Sequence, residues 1–209
     1  MTRPLWGDLY RRRREVEARY PTVFSLPRVR RAIRLATPRL RPGVRILEVG
    51  AGLHGRGRRL ASRIEGATCV TVDPDPAGRP DFARVGEVAG EFDLVLALEL
   101  IEHLPLDEGL DLLRQVRSRL APGGIFLLST PNVFCPGRFL RDATHVTPFA
   151  WDELGGALLL TGFELEGLYR VVPGSLLRRL RHALVAPIGR ALGIDAAAPS
   201  IAAVATAAQ

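Results

Sequence analysis

The sequence predicts an α/β protein built on a mostly parallel sheet, and three observations carry that expectation. From Val44 onward, short apolar runs alternate with segments of helical period, which is how strands joined by helices read in sequence. The run Phe92–Leu98 is almost continuously apolar, as a central strand buried on both faces requires. After Arg45–Val49 comes a glycine cluster that opens into a helix.

Taken in order, Val29, Ile33, Ala36 and Leu40 mark an N-terminal helix preceded by a polar, Arg-rich arm, so that residues 1–43 stand before a domain of 44–209. The first strand is Arg45–Val49, a short helix with Leu60 and Ile64 follows, and the second strand is Thr68–Val72. A weak third strand is expected at 82–85 and a fourth at Phe92–Leu98. Leu106, Leu110, Leu113, Val116 and Leu120 recur at helical spacing, and Pro122-Gly123-Gly124 is expected to stop that helix before a fifth strand at 125–129. A helix over 149–160 leads through Thr161-Gly162 to a sixth strand at 163–169. The small, β-capable residues 200–208 predict a last strand returning antiparallel beside the sixth, with 173–198 inserted between them.

At 209 residues, 47% apolar and 24% charged, the chain has the size and composition of one globular domain rather than a disordered or coiled-coil one. No apolar run approaches the roughly 20 residues of a membrane-spanning helix. The basic N-terminus is not followed by a secretory apolar region, and Cys69 and Cys135 make no disulfide framework, so the reducing cytoplasm is the expected location, extending to the inner membrane surface. The net charge of +7 comes from 29 cationic residues that are all Arg, a chain-wide habit that weakens net charge as a sign of a polyanion partner. Thirteen Arg against three acids lie in residues 1–45. A second cluster, Arg178, Arg179, Arg181, His182 and Arg190, alternates with Leu176, Leu177, Leu180, Leu184, Ile188 and Leu192. It reads as a basic amphipathic helix that either lies on an anionic membrane surface or packs its Leu stripe on the domain.

The glycine cluster runs Glu48-Val49-Gly50-Ala51-Gly52-Leu53-His54-Gly55, and Asp73 ends the second strand. Glycines at a strand-to-helix turn let a ligand approach the backbone, and an acid at the next strand end accepts hydrogen bonds from ribose hydroxyls, so a nucleoside cofactor is expected. Nicotinamide dinucleotides and S-adenosylmethionine both fit this pattern. Downstream, the chain resembles the class I S-adenosylmethionine-dependent methyltransferases through LEVGAG at 47–52, TVD at 71–73, FDLVLALELIEHL at 92–104, LAPGGIFLLSTPN at 120–132 and GFELEGL at 162–168. The resemblance implies a Rossmann-like, doubly wound, seven-stranded sheet with one antiparallel strand and helices on both faces. It also implies Glu48, Gly50 and Gly52 around the methionine part of the cofactor, Asp73 on its ribose and Glu87 near its adenine amine. A dehydrogenase would need a second, substrate-binding domain that this length does not hold.

The fourth strand delivers Glu99-Leu100-Ile101-Glu102-His103 beside the glycine loop, and on a helical turn Glu99, Glu102 and His103 share one face. With His145, in Asp142-Ala143-Thr144-His145, they make two carboxylates and two imidazoles suited to Mg²⁺, Mn²⁺ or Zn²⁺. Such an ion would hold a hydroxyl and lower its pKa. The pattern is similar to the ubiquinone-biosynthesis O-methyltransferases and to enzymes that methylate the terminal 2'-hydroxyl of small RNAs. Without a metal, His145 is the candidate general base, with Glu102 and His103 beside it, and Asp142 either orients it or caps a turn. Phe134, Phe139, Phe149 and Trp151 flank the cleft; Cys69, His54 and His182 are expected to be incidental, and Cys135 lies in a loop with no base placed beside it. The expected function is methyl transfer from S-adenosylmethionine to a hydroxyl of a small or lipid-linked molecule of quinone, glycan or natural-product type. The alternatives are an RNA 2'-O-methyltransferase, which the basic pI favours and the lack of an RNA-binding module opposes, and a non-catalytic cofactor-binding protein tethered to a membrane or partner.

Overall fold

The computed structural model describes residues 6–53, 55–174 and 186–208. A single sheet has the strand order β1-β6-β7-β5-β4-β2-β3, with β1 Arg28–Val29, β2 Arg45–Val49, β3 Thr68–Val72, β4 Phe92–Leu98, β5 Leu120–Pro131, β6 Phe163–Val171 and β7 Ser200–Ala207. Every pairing is parallel except those of β7 with β5 and β6. Four α-helices pack with the sheet, α1 Trp6–Arg19, α2 Arg56–Ala61, α3 Leu106–Arg117 and α4 Trp151–Leu160, and a further helical stretch lies at 186–191 among the described residues. Among the described residues no helix is long and apolar enough to cross a membrane.

The central strands bury both faces, as their unbroken apolar sequence requires. Leu47, Val49, Val95, Ala97, Phe126 and Leu128 face the layer that holds α3 and α4, while Ile46, Leu94, Leu96, Ile125 and Leu127 face the layer that holds Ala36 and Ala61. Each of the Val, Leu, Ile and Phe side chains contributes roughly 1.5–3 kcal/mol by leaving water. The predicted leucine spacing of α3 buries Leu110, Leu113 and Val116, with Asp107 and Glu108 in its first turn and Arg114 and Arg117 in its last complementing the helix dipole.

Four expectations are corrected. Residues 82–85 form no strand: Asp81 takes the Thr71 N–H with its carboxylate at 2.7 Å, and Phe82 makes only one bridge to Val72 before a 3-10 turn at Val85–Glu87. The seventh strand is β1 at the opposite edge, where Arg28 and Val29 pair with Arg170 and Val171. The helix expected around Val29 to Leu40 is a 3-10 segment, Ala32–Arg39, because Pro38 removes a donor and pushes Thr37 away from α geometry. Pro122-Gly123-Gly124 does not end an element but forms an excursion inside β5. Leu120 pairs with Phe92 and Ile125 with Leu94, and a Cβ at Gly124 would sit 2.7 Å from the Phe92 carbonyl oxygen.

The Arg-rich arm is, over Trp6–Arg19, an α-helix laid on α4. Gly155 and Gly156 make the approach close, since a Cβ on either would meet Val16 or Arg13 at 3.1 Å or less. Arg13 pairs with the buried Asp152 at 2.8 Å and with Glu153 at 3.1 Å, and the Trp151 indole donates to the Tyr20 carbonyl. Of the inserted segment, residues 186–191 are helical with Ile188 and Leu192 exposed. The basic stretch with Arg178, Arg179, Arg181 and His182 lies outside the described residues, as do Arg3 and His54. Asp195 is buried and ion-paired to Arg170 at 3.2 Å.

Candidate active site

The carboxyl ends of β2, β3, β4 and β5 open on one side of the sheet, where open α/β folds bind ligands. Gly50 at φ +73° and Gly52 at φ +51° take left-handed backbone, as their positions in the turn demand. A Cβ on Gly50 would strike the Leu100 side chain at 2.8 Å, whereas the space above Gly52 is open. Asp73 accepts from the Gly52 N–H at 2.8 Å and from the Asp75 N–H at 2.9 Å, one bond to each oxygen. It therefore pins the loop and keeps a free lone-pair site on each oxygen for the expected ribose hydroxyls.

Glu48 also has a structural task. Its buried carboxylate accepts from the N–H groups of Arg56 and Gly57 at 2.9 and 2.7 Å and so caps α2. Burial holds its carboxyl above the ordinary range despite those bonds. Gly57 is also a packing glycine, since a Cβ would sit 2.9 Å from Cys69 Sγ; burial pushes the Cys69 thiol up to about 12, in keeping with an inert core residue. Glu87 closes its own turn by accepting from Ala83 and Arg84. Gly78 carries no motif signal. A Cβ there would lie 2.1 Å from the Gly52 carbonyl oxygen, so the loop after β3 rests directly on the glycine loop.

At the end of β4 the chain does not continue as a helical turn from Glu99. Glu99 sits at φ +57°, a left-handed conformation that costs a non-glycine residue of order 1–3 kcal/mol, and the 3-10 turn covers only Ile101–His103. Its carboxylate turns instead to Ser129 Oγ at 2.8 Å and Ser200 Oγ at 3.2 Å. The structure brings together Glu102, His103 and His145, whose ligand atoms lie within 4.8 Å of one another, and leaves Glu99 outside the group.

Each of the three is held from behind. Glu102 is fully buried; Oε2 accepts from Thr130 Oγ1 at 3.0 Å, while Oε1 has no partner and faces His145 Nε2 at 3.9 Å. Burial above all, with the Glu99 charge adding to it, pushes this carboxyl up to about 8. His145 Nδ1 lies 2.8 Å from the Phe139 carbonyl, which can only accept, so the network assigns the proton to Nδ1 and the lone pair to Nε2. His103 Nδ1 lies 2.9 Å from Thr144 Oγ1, whose own proton goes to Asp142 at 2.6 Å, and the same assignment follows. Asp142 thus caps its turn and steadies His103 through Thr144; the Thr144 bonds draw its carboxyl below the ordinary range. Val146 and Thr147 donate to the Glu102 carbonyl, fixing the His145 loop to the β4 turn. Of the four flanking aromatics, Phe139 packs on His145 at 5.0 Å, Phe134 and Trp151 pack on each other, and Phe149 is core. A cavity of about 340 Å³ opens over the three residues, lined also by Glu99, Pro131, Arg138, Arg141 and Asp142.

A family model described as a methyltransferase domain matches residues 12–183. The chain is 31% identical over 171 residues to a ubiquinone biosynthesis O-methyltransferase of Azorhizobium caulinodans, covering 64% of either chain. It is 33% identical over 160 residues to a probable S-adenosylmethionine-dependent methyltransferase of Mycolicibacterium smegmatis, covering 66% of this chain and 59% of the relative. It therefore spans less than two thirds of the length of these relatives. A solved S-adenosylmethionine-dependent methyltransferase from Archaeoglobus fulgidus shares the fold at TM-score 0.64 and 18% identity, over 96% of this chain and 99% of that one. Haemonchus contortus phosphoethanolamine N-methyltransferase 2, solved with S-adenosylmethionine, shares it at TM-score 0.59 and 18% identity, over 85% and 52%.

Proposed function

The chain belongs to the methyltransferase-domain family, and from that premise we propose that it transfers a methyl group from S-adenosylmethionine to a hydroxyl of a small or lipid-linked acceptor, activated at Glu102, His103 and His145. The observation that supports this most is the buried Glu102 Oε1, which has no hydrogen-bond partner and faces His145 Nε2 at 3.9 Å, beside a second imidazole, His103; the Nδ1 bonds of both rings leave their Nε2 lone pairs open. The printed name of the A. caulinodans relative, an O-methyltransferase, favours oxygen as the acceptor atom.

The residues fit a divalent ion. A carboxylate oxygen and two oriented imidazoles leave positions open for a substrate, and carbonyl or hydroxyl partners behind each imidazole are what metal-binding histidines require. When bound, such an ion polarises a hydroxyl and lowers its pKa. The rest is positioning, because displacement at a sulfonium methyl needs the attacking oxygen in line with the methyl and sulfur. Asp73 and the Gly50 to Gly52 backbone fix one reactant, and the Glu102 turn, tied to the His145 loop, fixes the other.

The test is calorimetric titration of Mg²⁺, Mn²⁺ and Zn²⁺ into chelator-stripped protein saturated with S-adenosylhomocysteine. One ion per chain is expected, bound at least tenfold more weakly by His145→Ala. Binding of S-adenosylhomocysteine without any metal overturns the metal assignment and leaves His145 Nε2 as the group that takes the hydroxyl proton. Gly78→Ala should weaken S-adenosylhomocysteine roughly tenfold or more, about 1.4 kcal/mol, because its Cβ must displace the Gly52 carbonyl. Unchanged affinity in that variant would show that the glycine loop does not hold the cofactor.

A further inference from the structure

Two exposed arginines, Arg138 and Arg141, line the cavity over Glu102, His103 and His145. Arg13, Arg58 and Arg170 each donate to a carboxylate at 3.2 Å or less. Arg138 stands 3.7 Å from Glu99 Oε2, beyond hydrogen bonding. Neither Arg138 nor Arg141 makes a side-chain hydrogen bond among the described residues, and both are exposed. The nearby acids are satisfied elsewhere: Glu99 accepts from Ser129 and Ser200, and Asp142 from the Thr144 N–H and hydroxyl. Two guanidinium groups, one of them in a long ion pair with Glu99, therefore present donors to the space where the acceptor must lie.

We propose that the acceptor carries an oxyanion, a carboxylate or phosphate, close to the hydroxyl that is methylated, and that Arg138 and Arg141 bind it. This rests on the reading of Glu102, His103 and His145 as the hydroxyl site. A guanidinium fork matches both oxyanions in bidentate fashion, and a cavity of about 340 Å³ has room for the hydroxyl and the anion on one small ring. The same pair of cations disfavours ammonium acceptors. Arg138 and Arg141 are specificity residues, since they hold the acceptor away from the reacting oxygen. Their spacing of three, immediately before Asp142, places both on the loop that also delivers His145.

The experiment measures binding of three probes by calorimetry, with and without saturating S-adenosylhomocysteine: 2,3-dihydroxybenzoate, 2-hydroxyphenyl phosphate and the neutral 2,3-dihydroxybenzamide. At least one anionic probe should bind tenfold or more tightly than the amide. The double variant R138Q/R141Q should lose that preference while keeping its affinity for the amide and for S-adenosylhomocysteine and its thermal unfolding midpoint. Which anion wins separates a carboxylate acceptor from a phosphorylated one. Equal affinity for charged and neutral probes, including no measurable binding of either anion, overturns the proposal, as does a preference that survives the double substitution. Loss of S-adenosylhomocysteine binding in the unaltered protein would instead overturn the methyltransferase reading, and the arms without it still decide the arginine subsite.

Discussion

Arg170→Met should destabilise the protein by roughly 3–5 kcal/mol, the cost of leaving a buried carboxylate without its cation. Arg170 on β6 and Asp195 are both buried and pair at 3.2 Å. The guanidinium also donates to the carbonyls of Leu26 and Phe24 and lies over the Phe24 ring at 5.4 Å, while Asn132 donates to Asp195 and to the Ala198 carbonyl. One ion pair thus joins the edge of the sheet, the turn after α1, the end of β5 and the approach to β7. The double variant R170M/D195L should recover most of the loss, because it removes the stranded charge together with its partner. Urea unfolding at neutral pH measures both. A single-variant loss below about 1 kcal/mol would show that water reaches Asp195.

Glu102 gives the second large effect, in the pH dependence of the metal-free protein. Its folded carboxyl titrates at about 8 against an ordinary 4.5, so the folded state holds this proton more tightly than the unfolded one. A raised acid contributes stability that is fully present below the unfolded value and is lost as pH rises through the folded one. Across the whole window this approaches about 5 kcal/mol, and between pH 6 and 8 it is about 2 kcal/mol. Unfolding by urea in chelator at pH 6 and pH 8.5 should therefore show the native chain losing about 3 kcal/mol more than Glu102→Gln. Equal losses would mean that Glu102 is ionised in the fold at pH 6. Asp81 and Asp93, both held below the ordinary carboxylate range by their hydrogen bonds, titrate below this window.

How much of this was legible in the sequence depended on how local the cause was. β2, β3 and β4 begin and end where expected because apolar runs are bounded by glycine or acidic residues in the sequence itself. β1 is two residues at a sheet edge, defined by pairing with Arg170 and Val171 more than a hundred positions away, and two residues carry no periodicity. Residues 82–85 read as a weak strand because the sequence does not show that the Asp81 side chain occupies the place of a ladder partner. In α1 only Leu9 and Val16 are buried, and what seats the helix is the absence of side chains at Gly155 and Gly156 on α4.

The site divides in the same way. Glu102, His103 and His145 were recoverable because the first two share a turn and the third follows a recognisable Asp-x-Thr-His. The exclusion of Glu99 turns on one backbone dihedral, φ +57°, which side-chain spacing does not reveal. Gly78 matters only through contact with Gly52, a tertiary fact. Arg138 and Arg141 were hidden among 29 arginines, although their spacing of three before Asp142 was a usable signal.

The place of β7 also sets an order of assembly. It follows every other strand in sequence yet lies between β5 and β6, and β1 in turn pairs with β6. Until residues 200–207 have been synthesised and docked, half of the sheet has nothing to join, and the open edge of β5 remains available to other chains. Closing this sheet requires contacts of long sequence separation, whose loop entropy must be met before they stabilise anything. The β2, β3 and β4 strands, with the glycine loop and Asp73, are synthesised well before that point, so the nascent chain holds this half of the sheet before the other half can close.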